Sequence, residues 1–191
     1  LWHGPWRGLA ILPGVLLALV IWFFRDPPRR VPQEMGLYVA PADGTIAEIT
    51  SLDHYDYLDG PAIRVGIFLS IFNVHINRAP RAAKVADMHY KPGLFLNAIN
   101  PQSTILNEFM WIGFEDEEEA GRRFAVRQIS GLFARRIVCD LKPGASVNRG
   151  HKFGMIKLGS RTELILPADV EVTVQVGDKI KAGSTIVARS R

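Results

Sequence analysis

A chain of 191 residues, 48% of them hydrophobic, can bury the core of one compact domain with an appendage, which excludes disorder as its main state. The single cysteine, Cys139, excludes an internal disulfide and a cysteine-based zinc site, so the domain is expected to hold together by packing, as in a reducing compartment. With 23 Lys and Arg against 19 Asp and Glu the net charge is +4, a mild bias toward anionic surfaces; no basic run interleaved with aromatics points to nucleic acid.

Residues 9 to 24 (LAILPGVLLALVIWFF) carry no charge. As a helix this run would be about 24 Å long, short of the ~30 Å hydrocarbon layer, so it is read as a membrane-associated helix that spans with thinning or snorkelling, lies re-entrant, or forms the second limb of a hairpin. A buried core helix is the competing reading. Arg25, Arg29 and Arg30 follow at once and place that end, with the rest of the chain, on the cytoplasmic face of the membrane by the positive-inside rule. Pro27, Pro28 and Pro32 stop the helix, which divides the chain into a helix and linker, residues 1–30, and a globular domain, residues 31–191.

Within the domain, short β-rich runs recur between Gly, Pro and Asp punctuation: residues 38–39, 44–50, 63–69, 124–128, 136–141, 162–166, 170–174 and 185–188. Only residues 97–109 leave room for a further helix, and Pro101 limits it. The acidic run Glu115 to Glu119 reads as a solvated hairpin loop rather than a metal site, and no metal is expected. Two segments look alike, VAPADGTIAEI (39–49) and VQVGDKIKAGSTIVA (174–188), each setting Gly and Asp in tight turns between apolar strands. That pattern occurs in sandwich or barrel hybrids of carrier and sugar-phosphotransferase domains, although no lysine stands where biotin or lipoate would attach. The expected class is therefore mainly β (α+β), a β-sandwich or barrel hybrid with few helices.

The segment FGMIKLGSRTELILP (153–167) sets a Gly-Ser bond between two apolar runs. Alone, such a dipeptide is an ordinary turn. Together with APADGTI around Asp43, FNVHINRAP around His75, PGLFLNA with the later Asn107-Glu108, and RRIVCDLKPG, it resembles the phosphatidylserine decarboxylase family, in particular its short forms, from about Phe24 to Val187.

The resemblance implies that the chain cuts itself between Gly159 and Ser160. The Ser160 hydroxyl would attack the Gly159 carbonyl, where the absence of a side chain lets the backbone strain. Loss of the α-proton of residue 160 would then open the ester, leaving a pyruvoyl group as the only cofactor. The product would be a heterodimer of the two cleaved chains. That ketone would form a Schiff base with phosphatidylserine and accept electrons as carbon dioxide leaves, giving phosphatidylethanolamine. The same resemblance maps Asp43, His75 and Ser160 onto an Asp-His-Ser arrangement, with His75 moving the proton and Asp43 orienting the ring. Taken alone, His75 reads as a core histidine and Asp43 as a turn residue; His54, His89 and His151 have no matching role.

The chain departs from the long forms of the family in two places: Arg161 replaces threonine, as in short forms, and Phe72 replaces a second histidine. After Asn107-Glu108 it reads Phe-Met-Trp, and these side chains with Leu94 and Phe95 would either dip into the bilayer or pack in the core. The expected partners are the phospholipid substrate and an anionic membrane, and an unpaired sheet edge would allow a homo-oligomer. Two other functions share the β pattern: a phosphoryl carrier using His75, and an inactive membrane-anchored binding module.

Overall fold

The computed structural model describes residues 6–97, 102–132, 136–157 and 160–191, with side chains from residue 11 onward. The apolar N-terminal run forms α1, Trp6–Phe23. Its side chains from Ile11 to Trp22 are exposed, but its last turn meets the domain, where Phe23 is buried and Trp22 packs edge-on against Phe72. Among the described residues no helix is long and apolar enough to cross a membrane. The Pro-rich linker is fastened rather than loose. Arg25 donates to the Phe72 carbonyl (2.7 Å), and Asp26 accepts from Arg78 (2.9 Å) and pairs with Lys152.

Fourteen strands follow in the described residues: β1 Leu37–Val39, β2 Gly44–Tyr55, β3 Gly60–Leu69, β4 Ile76–Arg78, β5 Ala83–Lys91, then, after a one-turn helix α2 at Ser103–Leu106, β6 Phe109–Asp116, β7 Arg123–Ile129, β8 Ile137–Cys139, β9 Ser146–Val147, β10 Lys152–Ile156, β11 Ser160–Pro167, β12 Glu171–Val172, β13 Lys179–Ile180 and β14 Ile186–Arg189. Eight of them make one curled sheet in the order β13-β2-β3-β11-β7-β6-β5-β9, and two three-stranded sheets, β1-β14-β12 and β4-β10-β8, complete the domain. The mainly β class expected from the sequence is the one observed.

Side-chain alternation explains how these layers form one body. On β11, Thr162, Leu164 and Leu166 turn to one face with Val65, Ile67, Phe114 and Val126 from neighbouring strands. Tyr38 and Val187 of the first small sheet and Phe153 of the second join the same cluster, so the small sheets close over one face of the large one. Full burial of each such side chain contributes about 1.5–3 kcal/mol. The other face of β11 carries Arg161, Glu163 and Ile165.

The two look-alike segments pair with each other. Val39 opposes Ile186, Thr45 opposes Lys179, and the turn between them is closed by Gly183 N–H on the Ala40 carbonyl (2.9 Å) and Ile46 N–H on that of Asp178 (2.9 Å).

Two expectations need correction. The acidic run does lie at the β6–β7 hairpin, with Glu115 and Glu117 exposed, but it is not simply solvated: Asp116, Glu118 and Glu119 surround the guanidinium of Arg81, which is 1% exposed, at 3.0, 3.2 and 2.7 Å. A buried cation requires such partners. The helix sought in residues 97–109 is confined, among the described residues, to α2; residues 98–101 lie outside them.

Candidate active site

Ser160 opens β11, a central strand hydrogen-bonded on both sides, and faces Leu69 of β3 in the ladder. By alternation its side chain turns to the same face as Thr162 and Leu164, into the core. It is fully buried, and its hydroxyl has no hydrogen-bond partner among the described residues. A buried hydroxyl left this way costs about 1–3 kcal/mol, which marks the position as one not built for stability alone. Gly159, the other half of the expected cleavage bond, lies outside the described residues.

His75 precedes β4 and is also fully buried. The ring of Phe23, from the last turn of α1, lies on its imidazole at 4.5 Å and 31°. Burial pushes the His75 pKa down to about 4; a hydrogen bond to the Asn73 backbone and the charge of Asp43 oppose that shift, and Arg25 adds to it. At neutral pH the ring is therefore an uncharged base. Its carbonyl accepts from Ile156 N–H (3.3 Å), which fixes the end of β10 beside it.

Asp43 sits in the turn where the two look-alike segments meet. Its carboxylate accepts from Arg29 on both oxygens (2.9 and 2.8 Å) and from Ala182 N–H (2.8 Å). The next residue is necessarily small, because a Cβ on Gly44 would stand 2.3 Å from the Phe68 carbonyl oxygen. Asp43 thus influences His75 by charge while being held by Arg29, one of the arginines that the positive-inside rule alone would give to membrane orientation.

One carboxamide joins the three segments. Asn77 Nδ2 donates to the Pro41 carbonyl (3.3 Å), two residues before Asp43, and to Thr162 Oγ1 (3.1 Å), two residues after Ser160. Asn77 is itself two residues after His75, and its Oδ1 accepts from Gln128 Nε2 (2.8 Å). The three predicted site residues therefore come from three segments tied together at one buried side chain. Sequence reasoning missed Asn77, Arg29 and Phe23. Asn77 lies within the quoted motif FNVHINRAP, and its polar side chain between apolar neighbours was the available signal.

Across the sheet from Ser160, Arg161 pairs with Glu48 (2.8 Å) and Glu163 (3.1 Å), and Arg127 reaches Glu163 at 3.5 Å. This cluster pins the residue next to the serine.

The profile of the family described as phosphatidylserine decarboxylase matches residues 16–188, nearly the whole of this arrangement. The chain belongs to the phosphatidylserine decarboxylase family. A protein of Rhodopirellula baltica named phosphatidylserine decarboxylase proenzyme is 50% identical over 186 residues, covering 96% of this chain and 77% of its own. Proteins of the same name from Symbiobacterium thermophilum and Desulfotalea psychrophila are 44% and 42% identical, covering 96% and 90% of this chain and 84% and 79% of theirs.

For this member of the decarboxylase family the fate of the Phe-Met-Trp run is packing. Trp111 Nε1 donates to the Tyr55 hydroxyl (2.9 Å), Met110 packs on the core, and Phe109 lies under the Arg127 guanidinium at 3.9 Å. Leu94 and Phe95 are exposed, and Asn107 braces their loop through Leu96 N–H and carbonyl, both at 2.8 Å.

Proposed function

We propose that the chain is a phosphatidylserine decarboxylase, releasing carbon dioxide to give phosphatidylethanolamine, and that it makes its own pyruvoyl group from Ser160. The observation that carries this reading is the Ser160 hydroxyl, buried without a hydrogen bond among the described residues on a strand that Thr162 ties through Asn77 to the His75 and Asp43 segments. A pyruvoyl group fits there: it has no more atoms than the serine it replaces and needs no proton donor of its own. When present it supplies a ketone that takes the substrate amine and an acceptor for the electrons left by the departing carboxylate.

The remaining work falls to the chain's own residues. In self-cleavage, uncharged His75 takes the proton of the Ser160 hydroxyl as its oxygen attacks the Gly159 carbonyl carbon. Loss of the α-proton of residue 160 opens the resulting ester, and water releases the nitrogen as ammonia. In turnover, His75 holds the proton that replaces the lost carboxylate. Asp43 favours the protonated ring, and Phe23 excludes water from it. Burial of His75 also disfavours the phosphoryl-carrier reading, since such a histidine must meet a donor protein at the surface.

The exposed apolar residues of α1 support a membrane-surface location, where a diacyl lipid can be met without leaving the bilayer, and the arginines that follow the helix favour the cytoplasmic face. The test is a denaturing gel with a lipid assay. Two chains of 159 and 32 residues are expected from the 191, the smaller blocked at its N-terminus, together with conversion of phosphatidylserine. Ser160→Ala should give one uncut, inactive chain; normal cutting by that variant would remove Ser160 from the mechanism.

A further inference from the structure

Between the C-terminal half of α1 and the segment after β3 lies an apolar groove of about 360 Å³. Leu16, Val20 and Phe23 line one side, and Ile71 and Phe72 the other. Lys157 is the only charged residue among those lining it. Its ammonium stands 5.9 Å from the centre of the Phe24 ring, whereas Asp26, just after Phe24 in the chain, is taken up by Arg78 and Lys152. The backbone fixes its place: Lys157 N–H meets the Arg136 carbonyl (3.4 Å), and the preceding Ile156 N–H meets that of His75 (3.3 Å). Phe23 forms part of the groove on one side and covers the His75 ring on the other.

The geometry points to Lys157 as the residue that pairs with the phosphodiester of the lipid substrate while one acyl chain lies in the groove. Apolar walls that end at a single cation fit an amphiphile with an apolar tail and an anionic head. The groove also shares Phe23 with the imidazole, so a head group anchored at Lys157 is presented to the candidate reaction centre. An ammonium so placed gains a charge-assisted hydrogen bond at the edge of an apolar surface, where screening by water is reduced. Lys157 is in this sense a specificity residue: it recognises a part of the lipid that does not react.

This inference rests on the decarboxylase reading, and the test separates the two. In cleaved protein, Lys157→Gln should raise KM for dihexanoyl-phosphatidylserine by about tenfold or more with kcat little changed, and Lys157→Arg should restore most of the loss. Binding to uncleaved Ser160→Ala protein, with and without Lys157→Gln, gives a measure independent of cutting. There the substitution should weaken dihexanoyl-phosphatidylserine by a similar factor and leave dihexanoylglycerol, which lacks the phosphate, unaffected. Equal loss for both lipids, or no loss for either, overturns the assignment. A wild-type protein that binds lipid but releases no carbon dioxide would sink the decarboxylase reading and leave the binding comparison to decide the role of Lys157.

Discussion

An ordinary histidine is half protonated near pH 6.5, and burial under Phe23 moves His75 to about 4. Between those values the unfolded chain holds a proton that the folded chain does not. Stability is therefore full above about pH 6.5 and falls as pH drops toward 4, by roughly 3 kcal/mol for a shift of this size. The same shift predicts the pH profile of maturation. Self-cleavage by newly folded proenzyme should be nearly constant from neutral pH to about 5 and decline with a midpoint near 4. Time courses on gels, with circular dichroism at each pH to exclude unfolding, check this; a midpoint near 6.5 would mean that the ring is solvated when it acts. The sequence pointed to His75 through its motif, but not to its neutrality. That depends on an aromatic ring supplied from a segment 52 residues away, and no local pattern encodes it.

Among the elements, β11 has the most constrained surroundings. Its outer face holds Arg161 and Glu163, and the guanidinium of Arg161 occupies the space a side chain at Gly66 on β3 would need: a Cβ there would stand 2.3 Å from Arg161 Nη2 and 2.9 Å from Glu48 Cγ. Gly66→Ala should therefore cost about 1–3 kcal/mol, because the buried ion cluster must shift to admit a methyl group. Denaturant unfolding in the uncleaved Ser160→Ala background measures this, and a cost below 0.5 kcal/mol, typical of an unconstrained surface site, would show that the cluster is loose. The strands flanked by clear turn residues, such as β2, β3, β7 and β11, were legible in the sequence. β5 was not, because Lys84, Asp87, His89 and Lys91 interrupt its apolar residues on a largely exposed strand. β6 was obscured by its merger into the acidic run. The ion cluster was hidden for a different reason: Glu48, Arg127, Arg161 and Glu163 come from β2, β7 and β11, and only the pairing register across β3 brings them together.

For the whole molecule, the position of residue 160 within the sheets matters more than its place in the chain. The segment from Ser160 onward supplies a central strand, β11, between β3 and β7, and its later strands β13 and β14 pair with β2 and β1. A cut before Ser160 removes one covalent bond and leaves all of these ladders intact, so the 32-residue piece stays interleaved with its parent. What the cut alters is the molecularity of unfolding. The proenzyme unfolds to one strand of polypeptide and its midpoint should not vary with protein concentration. A protein cut as proposed would unfold to two, and wherever that transition is reversible its midpoint should rise as the protein is concentrated. Thermal melts of mature and Ser160→Ala protein over a hundredfold range of concentration check this. Maturation by the proposed cut would thus convert a first-order folding problem into a second-order one, and a cut molecule that came apart in dilute solution would have lost the tether that first assembled it.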